Sequence, residues 1–444
     1  MRGSAAFRTG VAPGGALAPG WVKNELWREA RAVPSLDLRF ADNKSLVDAT
    51  TGASLVTFTR ASSGTFVGSD GVLRTATTNE PRFDHNPTTG ESLGLLVEEA
   101  RTNVAWPSAD YSGANWTKTN IQVSAATTTA PDGSTCFGYE GSSASSLLKR
   151  LRFNFTTTTV GTYTWSIYLK AGTEDSCAIT IQDGTGVNVG YATILLTNGT
   201  VTGGPANSGA NTGTTISVQA ASNGFYRVSL TSTFVAALTQ IQAIITWVIN
   251  GSSTSTGTLF PWGAQLEQGS FATSVIPTTT AAATRSADVA SITGSNFSSW
   301  YRQNSGSWYC STNSLVFDSN ERGLFGIDTG NFARGYATNT CSPTRIRARR
   351  RDATNTLAID ATSTSETRAR VALVATSIEH ATVYNGGAVR TDATALTLDP
   401  ITDLRIGYQN ITGIPANLYL CGCISRLTYF PTRLPNNTLQ SITQ

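Results

Sequence analysis

From about residue 104 to 275 the chain repeats one pattern. Runs such as "TYTWSIYLKAG", "CAITIQDGTG", "GYATILLTNGT", "GFYRVSLTSTF" and "IQAIITWVING" are short and often alternate apolar with polar residues. Most end at Gly, Asn or Asp. A β-branched or aromatic run closed by a turn residue reads as a strand, and evenly spaced short strands predict a sandwich or jelly roll. The pattern leaves little room for helix: one Met, 41 Gly and 14% charged residues argue against long amphipathic helices. Trp, Phe, Tyr, Ile, Leu and Val recur throughout, so the chain is not a disordered one. At 444 residues it exceeds one ordinary core, and two or three domains are expected.

The strand pattern breaks twice. Residues 276–295, "IPTTTAAATRSADVASITGS", are poor in large apolar residues and read as a connection between domains. Residues 1–35 are interrupted by Pro and Gly and read as an arm. Its apolar anchors Trp21, Leu26 and Trp27 dock either on a partner or on the chain itself. Between arm and sandwich, "FVGSDGVLRT" carries a hairpin signal. The predicted architecture is therefore all-β, with two jelly-roll or β-sandwich domains preceded by a small β module and an extended N-terminal arm. The boundaries are 1–35 for the docking arm, 36–105 for the attachment module, and 106–285 and 286–444 for the two sandwiches.

Several function classes find no support. A net charge of +3 is too balanced to predict nucleic-acid binding. The most apolar run falls far short of the roughly 20 residues a membrane span needs, so no membrane insertion is expected. Pro and Gly interrupt the N-terminal stretch where a secretory signal would be apolar. Cys421 and Cys423 form a C-x-C without a nearby His or second pair, so neither zinc nor any other metal or cofactor is expected. The six cysteines read as small core residues, with a Cys310–Cys341 disulfide left open. "DGTGVN" at 183–188 reads as a plain turn rather than a calcium loop. Of the two histidines, His85 sits in a turn, and His380, spaced alternately with Ile378 and Thr382, reads as a packed or strand-surface residue rather than a base.

"ESLGLLVEEARTN", residues 91–103, looks most like chemistry. Yet Glu98 and Glu99 are consecutive, so on a strand they face opposite ways and on a helix they diverge by about 100°. Neither geometry brackets a glycosidic bond. Glu98, Glu99 and Arg101 are expected to form structural ion pairs, with "LGLLV" a buried strand. No catalytic residue is assigned, and the chain reads as a non-enzyme.

The stretch from "LDLRFADNKSLVDATTGASLVTFTRASSGTFV" to "PRFDHNPTTGESLGLLVEEARTN" resembles a segment of tailed-bacteriophage structural proteins. "FPWGAQLEQGSFATSVIPTTTAAATRSADVA" continues the likeness, which covers roughly residues 36–444. The resemblance implies that 106–285 is a carbohydrate-binding-module-like jelly roll and 286–444 a concanavalin-like lectin sandwich. It further implies a virion protein assembled in the host cytoplasm. It would bind other virion proteins through the arm and form homo-oligomers, a trimer being the guess for a fibre.

A tail-fibre or adhesin subunit contacting host-surface carbohydrate is the leading expectation. A head or baseplate decoration or cement protein is the alternative, and a polysaccharide depolymerase the third. Sugars stack on exposed aromatic faces, and Arg forks suit carboxylate and phosphate. The expected ligand residues are therefore Trp300, Tyr301, Trp308, Tyr336, Arg345, Arg347 and Arg349. Trp116 and Trp262 are further aromatic candidates. The competing reading makes the aromatics core and the "TRIRARR" arginines a charged strand that resists edge pairing.

Overall fold

The alternating pattern of the middle segment becomes two six-stranded antiparallel sheets in a computed structural model. That structure describes residues 25–142, 148–247, 256–303, 305–313, 321–329, 335–342, 345–351, 356–362, 368–376, 378–395, 400–409 and 418–444. One sheet runs Thr212–Ala220, Tyr226–Phe234, Gly161–Ala171, Thr258–Gln268, Thr135–Gly141, Ile121–Thr129. The other runs Thr200–Ser208, Val189–Leu195, Ser176–Asp183, Gln240–Trp247, Arg150–Thr156, Trp116–Thr119. Alternate residues of the central strands enter one shared core, including Leu151, Phe153, Trp165, Ile167, Ile179, Ile181, Ala243, Ile245 and Trp247. Period-2 patterning needs this arrangement, because one face of each strand must be covered.

The all-β expectation holds, and the chain forms two units. The first comprises 1–59, 92–99 and 288–444; the second comprises 60–91 and 100–287. Residues 36–105, read in sequence as one module, are thus divided between them. The predicted hairpin forms in the second unit, with Gly64–Val67 antiparallel to Leu73–Ala76. Its flanking arginines are buried: Arg82 donates to the Thr65 carbonyl and Ser274, and Arg60 to the Ser62 and Thr77 carbonyls.

The first unit is also a sandwich. Its seven-stranded sheet runs from Thr57–Thr59 through Val289–Thr293, Asp403–Ile406, Arg322–Asp328, Gly335–Ser342 and Arg345–Arg351 to Thr356–Thr362. The facing sheet centres on Gly422–Phe430, which pairs with Ser307–Asn313, Leu36–Leu38 and Ser92–Val97. Chain segments nearly 400 residues apart therefore share one ladder, with Asp37 opposite Thr428. "LGLLV" is the buried strand expected of it. Gly94 is required there: its φ is 104°, and an added Cβ would lie 2.1 Å from the Ile424 carbonyl oxygen.

Part of the arm is settled by the same unit. Residues 1–24 lie outside the described residues, Trp21 among them. Helix Glu25–Ala30 packs Leu26, Trp27 and Ala30 against Tyr309, Val374, Val383 and Phe430, beside Leu439 of helix Asn436–Ser441 and Ile442 just after it. Leu26 and Trp27 therefore dock on their own chain.

Candidate ligand-binding face

Trp300, Tyr301 and Trp308 of the first unit are core residues. Trp300 is 4% exposed and Trp308 1%. They join Phe297, Tyr301 and Tyr429 in a cluster of mostly edge-to-face and tilted rings 4.6–6.0 Å apart. Among the described residues these rings are spent mainly on packing against one another. Trp116 packs against Tyr111 and Phe153, and Trp262 against Tyr168, in the second unit. Tyr336 lies opposite Ile327 in a strand pair, and its side chain is outside the described residues. A groove of about 760 Å³ near Trp300 is lined by Asp48, Thr50, Thr51, Asn296 and Arg302. Its one carboxylate is committed: Asp48 accepts from the backbone N–H of Asp37, Thr50 and Thr51 and from both threonine hydroxyls.

Arg345, Arg347 and Arg349 share one strand face, as their spacing predicts, with Ile346, Ala348 and Arg350 buried on the other. Acids already meet them. Arg347 lies directly opposite Asp360 and forms a two-point pair with it, 2.7 and 2.9 Å. Arg345 reaches Asp360 at 3.2 Å, and Arg349 pairs with Glu321. The Arg347 and Arg345 guanidiniums hold the Asp360 carboxyl below its usual range. The charge these arginines would offer a ligand is largely neutralised at home.

Within "VEEARTN" the Glu98 backbone, the Glu99 carboxylate and the Arg101 guanidinium each meet a separate partner. The Glu98 N–H donates to the Asp288 carboxylate, and the Asp288 N–H returns to the Glu98 carbonyl. Glu99 pairs with buried Arg322 at 3.5 Å. Arg101 belongs to the second unit, where it donates to the Gln268 carbonyl and lies 4.9 Å from the Phe271 ring centroid. Asp183 closes its turn by accepting from Thr185, Val187 and Asn188. No group of three or more His, Cys, Asp or Glu among the described residues is placed to hold a metal ion. Cys310 is a free buried thiol, and the Cys341 side chain lies outside the described residues. Burial pushes the Cys136, Cys177 and Cys421 thiols up to about 12, where none is a nucleophile at neutral pH.

His380 is fully buried, the packed one of its two sequence readings. Burial first, then the Arg350 charge, lowers its pKa to about 3 against an opposing pull from Asp392. A base depressed on folding contributes stability above its unfolded pKa of 6.5 and loses it as pH falls toward 3. Between pH 7 and 5 that loss is about 2 kcal/mol. A His380→Leu variant should lack this part of the acid limb, measured as a smaller drop in unfolding free energy between urea titrations at the two pH values.

The sequence reading missed a different surface. In "RLRFNF", Leu151 and Phe153 enter the core, so Arg150, Arg152 and Asn154 project from the opposite face of their sheet. The register extends that face sideways. Arg152 lies opposite Thr117 on one side and Ile244 on the other; Ile244 faces Thr180, and Thr180 faces Tyr191. Asn154 lies opposite Gln242, which faces Gln182, and the two glutamines hydrogen-bond at 2.7 Å. Tyr191 is 42% exposed. Neither arginine side chain has an ion pair or hydrogen bond among the described residues, and both Nε atoms and the Asn154 Oδ1 are shielded without a partner. Partial burial, then the adjacent Arg150 charge, lowers the Arg152 pKa. The signal that would have found these residues is the same alternation that marked "TRIRARR".

Comparison with known proteins yields no family. No protein-family model matches the chain, and no curated protein sequence does. Among solved structures, the CBM40 domain of Ruminococcus gnavus IT-sialidase bound to alpha2,6 sialyllactose is 15% identical, covering 34% of this chain and 88% of its own, with a TM-score of 0.29. Domains LG4-5 of the mouse laminin alpha1 chain are 8% identical over 66% of this chain and 92% of theirs, at 0.22. Trypanosoma rangeli sialidase in complex with sialic acid is 10% identical over 62% and 52%, at 0.27. At such scores the likeness decides neither ligand nor activity.

Proposed function

We propose that this chain is a non-enzymatic virion subunit of the tailed-bacteriophage type, a tail-fibre or adhesin component that contacts host-surface glycan. The sequence likeness of residues 36–103 and 260–290 supports the virion setting. The observation that carries glycan contact is the polar outer face of the Thr200–Ser208 to Trp116–Thr119 sheet, half-buried at Arg150 and Arg152 and exposed at Tyr191. It sets guanidinium, amide, hydroxyl and phenol groups on rigid strands, the mixture that fixes a sugar's orientation. Its outward positions carry no carboxylate, so the acid pair of a glycosidase has no place on it.

The full chain is the right reagent for a test. Cutting near residue 286 would remove Leu36–Leu38 and Ser92–Val97 from the ladder on Gly422–Phe430. Full-length protein on a glycan array should bind a subset of glycans, and Tyr191→Ala with Gln182→Ala should weaken that binding at unchanged melting temperature. Absence of binding by the folded protein would overturn the glycan reading. Release of reducing sugar from host capsule or lipopolysaccharide would overturn the non-enzymatic one. Microscopy of labelled particles tests the fibre position against the head or baseplate.

A further inference from the structure

We infer that the Arg150 and Arg152 end of this sheet face recognises the acidic group of a negatively charged saccharide, a carboxylate, sulfate or phosphate ester. The inference rests on the glycan-contact reading and names the class of glycan.

Arg150 and Arg152 stand on one strand face with their α-carbons about 7 Å apart, two residues of extended backbone. Like charges this close repel, and a fold normally answers with a carboxylate. This one does so elsewhere: Arg347 with Asp360, Arg405 with Asp328, Arg426 with Asp37 and Arg433 with Glu379. The Arg150–Arg152 face supplies no acid. Its outward positions on the six strands are Thr, Ser, Gln, Asn, Ala, Ile, Val, Leu, Gly and Tyr beside the two arginines.

Edge protection does not account for the pair, because Arg150–Thr156 is an interior strand bonded on both sides, by Trp116–Thr119 and Gln240–Trp247. An anion supplied by a ligand would satisfy both forks through charge-assisted hydrogen bonds. The row from Arg152 to Tyr191 crosses three strand spacings, roughly 14 Å. That span suits an oligosaccharide whose acidic group meets the arginines while a sugar ring lies on Tyr191.

The test uses the full chain with dextran, dextran sulfate, polygalacturonate and poly-glutamate as probes. Saturable binding to a sulfated or carboxylated polysaccharide is expected, with dextran and poly-glutamate bound at least tenfold more weakly. The R150A/R152A double variant should lose at least tenfold in affinity at unchanged melting temperature, and R150K/R152K should recover part of it. Comparing polygalacturonate with dextran sulfate separates carboxylate from sulfate recognition, and either preference supports the inference. Equal binding of poly-glutamate, or acidic-glycan binding that survives R150A/R152A, would overturn it. Binding of neutral glycans alone would overturn the acidic class and leave glycan contact standing. Binding of no glycan would remove both.

Discussion

Replacing Asp37 by Asn will destabilise the first unit by about 3–5 kcal/mol, the usual cost of stripping one partner from a buried ion pair. Asp37 has no solvent exposure. One carboxylate oxygen accepts from Arg426 Nε and the Thr428 hydroxyl, both at 2.8 Å. The other accepts from Arg426 Nη2 and Arg39 Nε, both at 2.7 Å, and from Trp27 Nε1 at 2.9 Å. Burial alone would raise this carboxyl, but Arg426 and then Arg39 outweigh it and hold its pKa below the ordinary value. The amide removes the charge and turns an acceptor into a donor facing donors. The loss should appear as an earlier urea transition reported by Trp27 and Trp308 fluorescence. Glu25→Gln, which removes a 3.8 Å pair between exposed side chains, should leave the transition where it is. Equal effects from the two substitutions would sink the assignment of Asp37 as the polar centre of this unit.

Asn103→Leu will cost the second unit at least about 4 kcal/mol, from four buried backbone groups at about 1 kcal/mol or more each. The Asn103 side chain is fully buried and satisfied at both ends. Its amide nitrogen donates to the Ala264 and Ile276 carbonyls, and its oxygen accepts from the Ala105 and Leu266 N–H groups. It thereby ties three separate stretches of chain together. Leucine fits the volume but leaves all four groups without a partner. Asn103→Asp keeps the acceptors and should fall between Leu and the natural residue. Amide exchange at Leu266 reads the effect directly, and native-like protection in Asn103→Leu would refute it.

These two residues show how far local sequence carries. "LGLLV" is legible as a strand because its apolar run is local, and the hairpin at 64–76 because its turn residues are. Asp37 and Asn103 are an ordinary Asp and Asn in ordinary strands. Their importance comes from partners hundreds of positions away, such as Arg426. The division of residues 36–105 between two units has the same cause. Its first and penultimate strands find their partner in the last long strand of the chain.

The arginine stripes make the limit plain. "RIRAR" and "RLR" carry one pattern, and the sequence determined that each places its arginines on one face of a strand, because side chains alternate. It also determined the all-β class, since period-2 runs closed by turn residues have no other way to bury their apolar half. Only the tertiary structure decided which stripe is neutralised: the strand beside Arg347 brings Asp360, whereas those beside Arg152 bring Thr117 and Ile244. Charge compensation depends on which strands become neighbours, and that is set by long-range pairing rather than by any run of residues along the chain.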